Sequence, residues 1–229
     1  MHLAAPGRIL KIWKYAIEQG ANVVLMRHAP KAGSNESGLS EEGRRLAIRY
    51  GNILRLDPID GGLLVCTTKD RTMYTLKYMF PFSDESAYLR PRYLEVNKVS
   101  PFVQDQVNCL HKEIGRFRGY YLNHTYYFLE KLGGRFDEEN IHTVVAQRMV
   151  KGIKQLFEFA SSSIVIYCGH SPSIEVGCER LLGLTLSELG GFLNPLDSIH
   201  LRVKENKVEW IARVNPIVGY VDLESETYF

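Results

Sequence analysis

Asn22-Val23-Val24-Leu25-Met26-Arg27-His28 is the stretch on which the fold turns. Four consecutive apolar residues, free of Gly and Pro, predict a short strand buried on both faces. Arg27 and His28 stand where that strand should end. Two other runs are built alike. Leu63-Leu64-Val65-Cys66 leads within one loop and turn to Arg71, and Ile164-Val165-Ile166-Tyr167-Cys168 leads to Gly169-His170. Buried strands separated by long helices predict an α/β protein whose mostly parallel sheet is covered on both faces.

The segments between the strands supply the helices. Ile9, Ile12, Trp13, Ala16 and Ile17 recur at helical spacing over about 8–19, and Gly20 is a stop. Ser40 is a candidate N-cap, with Glu41 and Glu42 in the first turn and an apolar face of Leu46, Ala47, Tyr50, Ile53 and Leu54. Thr67 or Thr68 is placed to cap a third helix running to about Tyr78. The stripe Val144, Val145, Met149, Ile153, Leu156, Phe157 and Ala160 predicts a helix over about 140–160. Ser171 as N-cap with Pro172 at the first helical position predicts another, running to Leu182 and stopped by Gly183. A further strand falls within 88–96, placed near an edge or a turn by Pro91. Ile199–Val203 and Val208–Val214 form a hairpin about Glu205-Asn206. The aromatic-rich stretch at about 97–140 reads as a cap-like helical insertion over one end of the sheet, within a single domain spanning 1–229.

Composition narrows the function. With 229 residues and 45% hydrophobic side chains the chain can bury a sizeable core. A net charge of +2 without basic blocks gives no case for nucleic acid or an anionic membrane surface. No apolar run has the length of a membrane span, and Met1 to Tyr15 carries no secretory h-region. The four cysteines, Cys66, Cys109, Cys168 and Cys178, form no C-x-x-C pair and no zinc-ligand spacing. They read as reduced thiols of a soluble cytoplasmic protein, and no metal site is expected.

In open α/β sheets ligands sit outside the carboxyl ends of the strands. Arg27, His28, Arg71 and His170 would meet there, beside a helix N-terminus. Two arginines with bidentate donors, two imidazoles and unpaired helix N–H groups suit an anion with several oxygens, of which phosphate is the natural candidate. Phosphoryl transfer asks chiefly for positioning and charge stabilisation. Neighbouring positive charge keeps a histidine neutral near pH 7, so that it can attack phosphorus. The alcohol leaving group then needs a proton from a carboxylic acid.

These residues resemble a known family. Met26-Arg27-His28-Ala29, Leu39-Ser40-Glu41-Glu42-Gly43, Thr67-Thr68-Lys69-Asp70-Arg71 and Gly169-His170-Ser171, in that order, look like the histidine phosphatase (phosphoglycerate mutase-like) superfamily. The resemblance covers about residues 22–183. It implies a three-layer α/β/α sandwich, no metal or organic cofactor, and a phosphorylated small molecule or protein as substrate. It implies that His28 is the phosphorylated nucleophile, that Arg27, Arg71 and His170 complete the phosphate pocket, and that Glu95 is the proton donor. By the same likeness Ser34 and Asn35, in the loop after the nucleophile, touch the phosphoryl group. Ala29 stands where glycine is frequent, and Pro30-Lys31 replaces the Glu-Ser or Glu-Thr of the mutases, which favours a phosphatase over a mutase. Asn97-Lys98-Val99-Ser100 replaces the small glycine-rich stretch after the acid, so Asp84, Glu85 and Glu175 stand as substitutes for Glu95. Lys98, His111, Arg116 and Arg118 are candidates for selecting a charged substrate.

Two other readings compete. A phosphate-binding module of the same fold would keep the pocket without turnover. A serine esterase would use Ser171, because Gly169-His170-Ser171-Pro172-Ser173 approaches the G-x-S-x-G elbow, with Asp197 and His200 as nominal triad partners.

Overall fold

The computed structural model describes residues 6–33, 38–54, 63–67, 69–81, 92–93, part of 150–160, 164–171, 173–185, 188–204 and 207–214. Ten elements are named in chain order: α1 (Pro6–Glu18), β1 (Val23–Arg27), α2 (Glu41–Leu54), β2 (Leu63–Cys66), α3 (Asp70–Met79), β3 (Arg92–Tyr93), β4 (Val165–Gly169), α4 (Ser173–Leu182), β5 (Ser198–Lys204) and β6 (Lys207–Arg213). Helical residues also occur between 150 and 160. The insertion expected at about 97–140, with Lys98, Cys109, His111, Arg116 and Arg118, lies outside the described residues, as do Ser34, Asn35, Asp84, Glu85 and Glu95.

One six-stranded sheet has the order β3-β2-β4-β1-β5-β6. The first four of these neighbours run parallel; β5 and β6 turn antiparallel at one side. β3 is the expected edge strand, paired through Val65 with Arg92 and Cys66 with Tyr93.

Alternation along each strand divides the core into two. Val24, Met26, Leu64, Cys66, Ile166 and Cys168 pack with Ile12, Trp13 and Ala16 of α1, Tyr50 of α2 and Leu76 of α3. Val23, Leu25, Val65, Val165 and Tyr167 face the other way, onto Ile153, Leu156, Ala160 and the α4 residues Ile174, Val176 and Cys178. The result is the three-layer sandwich. Asn22 fastens the entry to β1. Its side-chain amide donates to Ala160 O and Val203 O, and its carbonyl oxygen Oδ1 accepts the Val203 N–H at 2.7 Å.

The helix after β1, α2, packs on one face of the sheet, and the helix after β4, α4, packs on the other. β1 and β4 are neighbours, with Arg27 opposite Gly169. Their carboxyl ends therefore border a crevice at a topological switch point, where α/β sheets bind ligands.

Two expected helix caps are corrected. Lys69, not Thr67 or Thr68, is the N-cap of α3, and it makes no side-chain cap bond. α4 begins at Ser173, and the Ser171 hydroxyl donates to Glu175 Oε1 instead of serving a backbone amide. In both places the hydroxyl is drawn into interactions at the crevice. The Ser40 cap is present, its Oγ accepting the Gly43 N–H at 2.9 Å.

Candidate active site

His28 follows β1 directly and is 7% exposed. Its backbone N–H bonds Gly169 O at 3.1 Å, which ties it to β4. Its Nδ1 lies 2.5 Å from Ala29 O, a carbonyl that can only accept. Nδ1 therefore carries the proton and Nε2 is left with a lone pair. Burial lowers the His28 pKa from 6.5 to about 3. The bond to Ala29 opposes that shift, and the charges of Arg27, Arg71 and Lys31 add to it. A neutral imidazole in a fixed tautomer is what nucleophilic attack through Nε2 requires.

Arg71, in the first turn of α3, donates from Nε to His28 Nε2 at 3.2 Å. Its Nη2 lies 3.5 Å from His170 Nδ1. The His28 and His170 rings stand edge to face with centroids 5.2 Å apart. Arg71 thus bridges both imidazoles. Arg27 ends β1, and its Nη1 donates to Leu193 O at 2.5 Å. Arg27, His28, Arg71 and His170 are brought to one crevice from three separate elements.

The tautomer of His170 follows from hydrogen-bond accounting. Thr72 Oγ1 spends its proton on a backbone carbonyl, Lys69 O at 2.7 Å or Thr67 O at 3.2 Å. The 3.0 Å contact between the Thr67 and Thr72 hydroxyls then uses the Thr67 proton. With its proton so committed, Thr67 Oγ1 accepts from His170 Nε2 at 3.0 Å. The Nδ1 of a neutral His170 consequently faces Arg71 and the crevice. Thr75 braces the segment after the nucleophile, accepting the Ala29 N–H at 3.0 Å while donating to Arg71 O at 2.7 Å. The positioning roles of Thr67, Thr72 and Thr75 were not expected from the sequence. Their only signal there is the clustering of three threonines around Arg71.

Glu175, a substitute for Glu95 as the acid, has no exposed surface. It is wholly buried in α4, with Oε1 held by the Ser171 hydroxyl at 2.5 Å and the Leu193 N–H at 2.6 Å. Burial raises its pKa, against those bonds and the charge of Arg27. The esterase arrangement is absent too. Ser171 is committed to Glu175, Asp197 pairs with Arg213 at 2.7 Å, and His200 Nε2 lies 3.2 Å from Ser198 Oγ. Among the described residues no group of three or more His, Cys, Asp and Glu side chains gathers to hold a metal. No helix among them is long and apolar enough to cross a membrane.

Neither a protein-family model nor a curated protein sequence matches the chain. Solved structures do. A phosphoserine phosphatase from Entamoeba histolytica, in complex with 3-phosphoglyceric acid, superposes with a TM-score of 0.57 at 12% identity, over 84% of this chain and 96% of that one. A proposed alpha-ribazole-5'-P phosphatase from Escherichia coli gives 0.54 at 15% identity, over 86% and 97%. The product of the open reading frame Rv3214 from Mycobacterium tuberculosis gives 0.52 at 14% identity, over 86% and 98%. The chain has the histidine phosphatase fold. At these identities the likeness is one of fold.

Proposed function

We propose that the chain is a phosphomonoester hydrolase that works through a phosphohistidine on His28, without a cofactor. The observation that carries this reading is the pose of His28. Nδ1 is tied to Ala29 O, and Nε2 is presented to Arg71 across from His170. Attack by Nε2 on phosphorus forms an N–P bond and breaks the P–O ester bond, while Arg27 and Arg71, together with His170 once Nδ1 is also protonated, take the equatorial oxygens. The leaving oxygen receives a proton from a carboxylic acid. Water then cleaves the N–P bond and returns His28 with inorganic phosphate.

We assign the proton to Glu95, on its resemblance to the family position after the second arginine. It follows β3 by two residues in sequence, and β3 runs parallel to β2 toward the same end of the sheet. Ser34 and Asn35 remain our assignments for further contacts with the phosphoryl group. The substrate classes in keeping with this pocket are a sugar phosphate, another small phosphorylated metabolite or a phosphohistidine protein. Three buried free thiols, Cys66, Cys168 and Cys178, suit a reducing cytoplasm.

Acid-quench trapping with a labelled phosphomonoester tests the central step. Wild type should retain label on protein and His28→Ala should not. Equal label on both would overturn the reading. Glu95→Gln should slow turnover of an alkyl phosphate far more than that of a p-nitrophenyl ester, whose leaving group needs no proton. Equal slowing would remove Glu95 from the mechanism.

A further inference from the structure

The wholly buried carboxylate of Glu175 is used by no step above, yet it touches both sides of the crevice. Its Oε1 accepts from Ser171, the residue after His170, and from the Leu193 backbone N–H. The carbonyl of that same Leu193 accepts from Arg27 Nη1. One chain of contacts therefore runs Ser171–Glu175–Leu193–Arg27 and joins the β4 end of the site to the β1 end. The second oxygen, Oε2, is buried and has no hydrogen-bond partner among the described residues. All the binding thus falls on Oε1, at two short distances.

The loop that carries Leu193 is fixed from its other side by a second buried group. Arg213 donates to Leu189 O at 2.6 Å, Gly191 O at 2.8 Å and Phe192 O at 2.8 Å, and its charge meets Asp197. The loop also grips the Arg27 backbone, through Arg27 N to Asp197 O at 2.9 Å and Leu196 N to Arg27 O at 3.1 Å. Arg213 and Asp197 hold the loop on either side of Leu193, Arg213 through the Phe192 carbonyl and Asp197 by accepting the Asn194 N–H at 3.4 Å, but neither takes the Leu193 N–H. Glu175 is the side chain that takes the Leu193 N–H, on the same residue whose carbonyl receives the Arg27 guanidinium.

We infer that Glu175 is a positioning residue for the phosphate pocket: by holding the Leu193 N–H it steadies the Leu193 carbonyl and so the pose of the Arg27 guanidinium. The inference rests on the phosphate-pocket reading above. It needs an acceptor at Oε1, not the carboxylate charge. Glu175→Gln should therefore keep both contacts through its amide oxygen, and Glu175→Ala should lose them.

A double-mutant cycle separates positioning from general loss of structure. kcat/KM for p-nitrophenyl phosphate and Kd for inorganic phosphate are measured for wild type, E175Q, E175A, Arg27→Ala and the E175A/Arg27→Ala pair. E175A should lower kcat/KM and weaken phosphate binding by roughly 10- to 100-fold, the range that a small displacement of a positioned group produces. In the Arg27→Ala background the same change should cost less than about twofold, because the group it positions is gone. E175Q should stay within about threefold of wild type. An equal loss from E175A in both backgrounds, or a loss from E175Q as large as that from E175A, overturns the inference. If E175A does not fold, Glu175→Asp, which withdraws the oxygen by one methylene, takes its place in the cycle. A wild type that binds phosphate without hydrolysing the ester overturns the hydrolase reading alone, and the phosphate Kd values still decide the role of Glu175. A wild type that does neither removes both.

Discussion

His28 and His200 show how one residue type is held neutral for two ends. His28 is desolvated at the crevice among cations. His200 is fully buried in β5, edge-on to Trp13 with ring centroids 4.8 Å apart, and its Nδ1 has no hydrogen-bond partner among the described residues. Burial lowers its pKa from 6.5 to about 3. The unfolded chain takes up a proton near pH 6.5 that native His200 refuses until about pH 3. The stability this residue contributes is complete above pH 6.5 and is lost as the pH falls, at about 1.4 kcal/mol per unit. His28 acts in the same direction. Urea unfolding of wild type and His200→Gln at pH 7 and pH 5 should show the variant losing less stability between the two, by about 2 kcal/mol. An identical loss would mean that His200 is not the group titrating. Of the residue-scale features, His28 was legible because a basic pair after a buried run is unusual. Glu175 stood out only as a substitute acid, and its contacts with Ser171 and Leu193 were not legible, since an acid in the first turn of a helix has an ordinary explanation in the helix dipole.

At the scale of elements, two glycines set how closely α2 approaches its neighbours. A Cβ on Gly43 would stand 2.0 Å from Pro30 O, and one on Gly51 would stand 1.9 Å from Met79 O. Both obstacles are backbone, so neither yields by a rotamer change. Each Gly→Ala should destabilise by about 1–3 kcal/mol, the usual cost of overpacking. The two should differ in activity. Gly43 packs on the segment that follows His28, and Ser40 N also bonds Pro30 O at 3.0 Å. Gly51 meets the far end of α3 from Arg71. Gly43→Ala should therefore lower kcat/KM for an aryl phosphate more than Gly51→Ala does. Gly7→Ala in α1, with nothing within 4 Å, is a control that should leave both readings unchanged or add a few tenths of a kcal/mol of stability. The elements themselves were readable because periodicity and stop signals agreed: α1, α2, the stop at Gly183 with φ +67° and the terminal hairpin all appear where expected. The caps at Thr67 and Ser171 failed for one reason. A hydroxyl beside a site has competing partners that local sequence does not display, here His170 and Glu175.

For the whole molecule, the sequence showed buried strands and their basic ends but not their order. Nothing in Leu63–Cys66 or Ile164–Cys168 announces that the fourth strand inserts between the first and second. That insertion makes the ends of β1 and β4 adjacent, and it brings four scattered basic residues to one crevice. The same topology makes the site a junction. His28 belongs to the end of β1, Arg71 to α3 and His170 to the end of β4, and an oxyanion bound to Arg71 would sit beside both imidazoles. Only the native arrangement brings the Arg27 and Arg71 guanidiniums to one crevice, so phosphate should stabilise folding by RT ln(1 + [L]/Kd). At a concentration 100-fold above Kd this is about 2.7 kcal/mol, enough to raise the melting temperature by several degrees in a chain of this size. Arg71→Ala removes the bridge between the imidazoles and should abolish most of that rise. Replacing Arg202, an arginine paired with Glu209 on the hairpin, should leave it intact. Scanning calorimetry over a phosphate series at constant ionic strength reads the difference. A rise of the same size in the Arg71→Ala protein would place phosphate stabilisation somewhere other than the crevice.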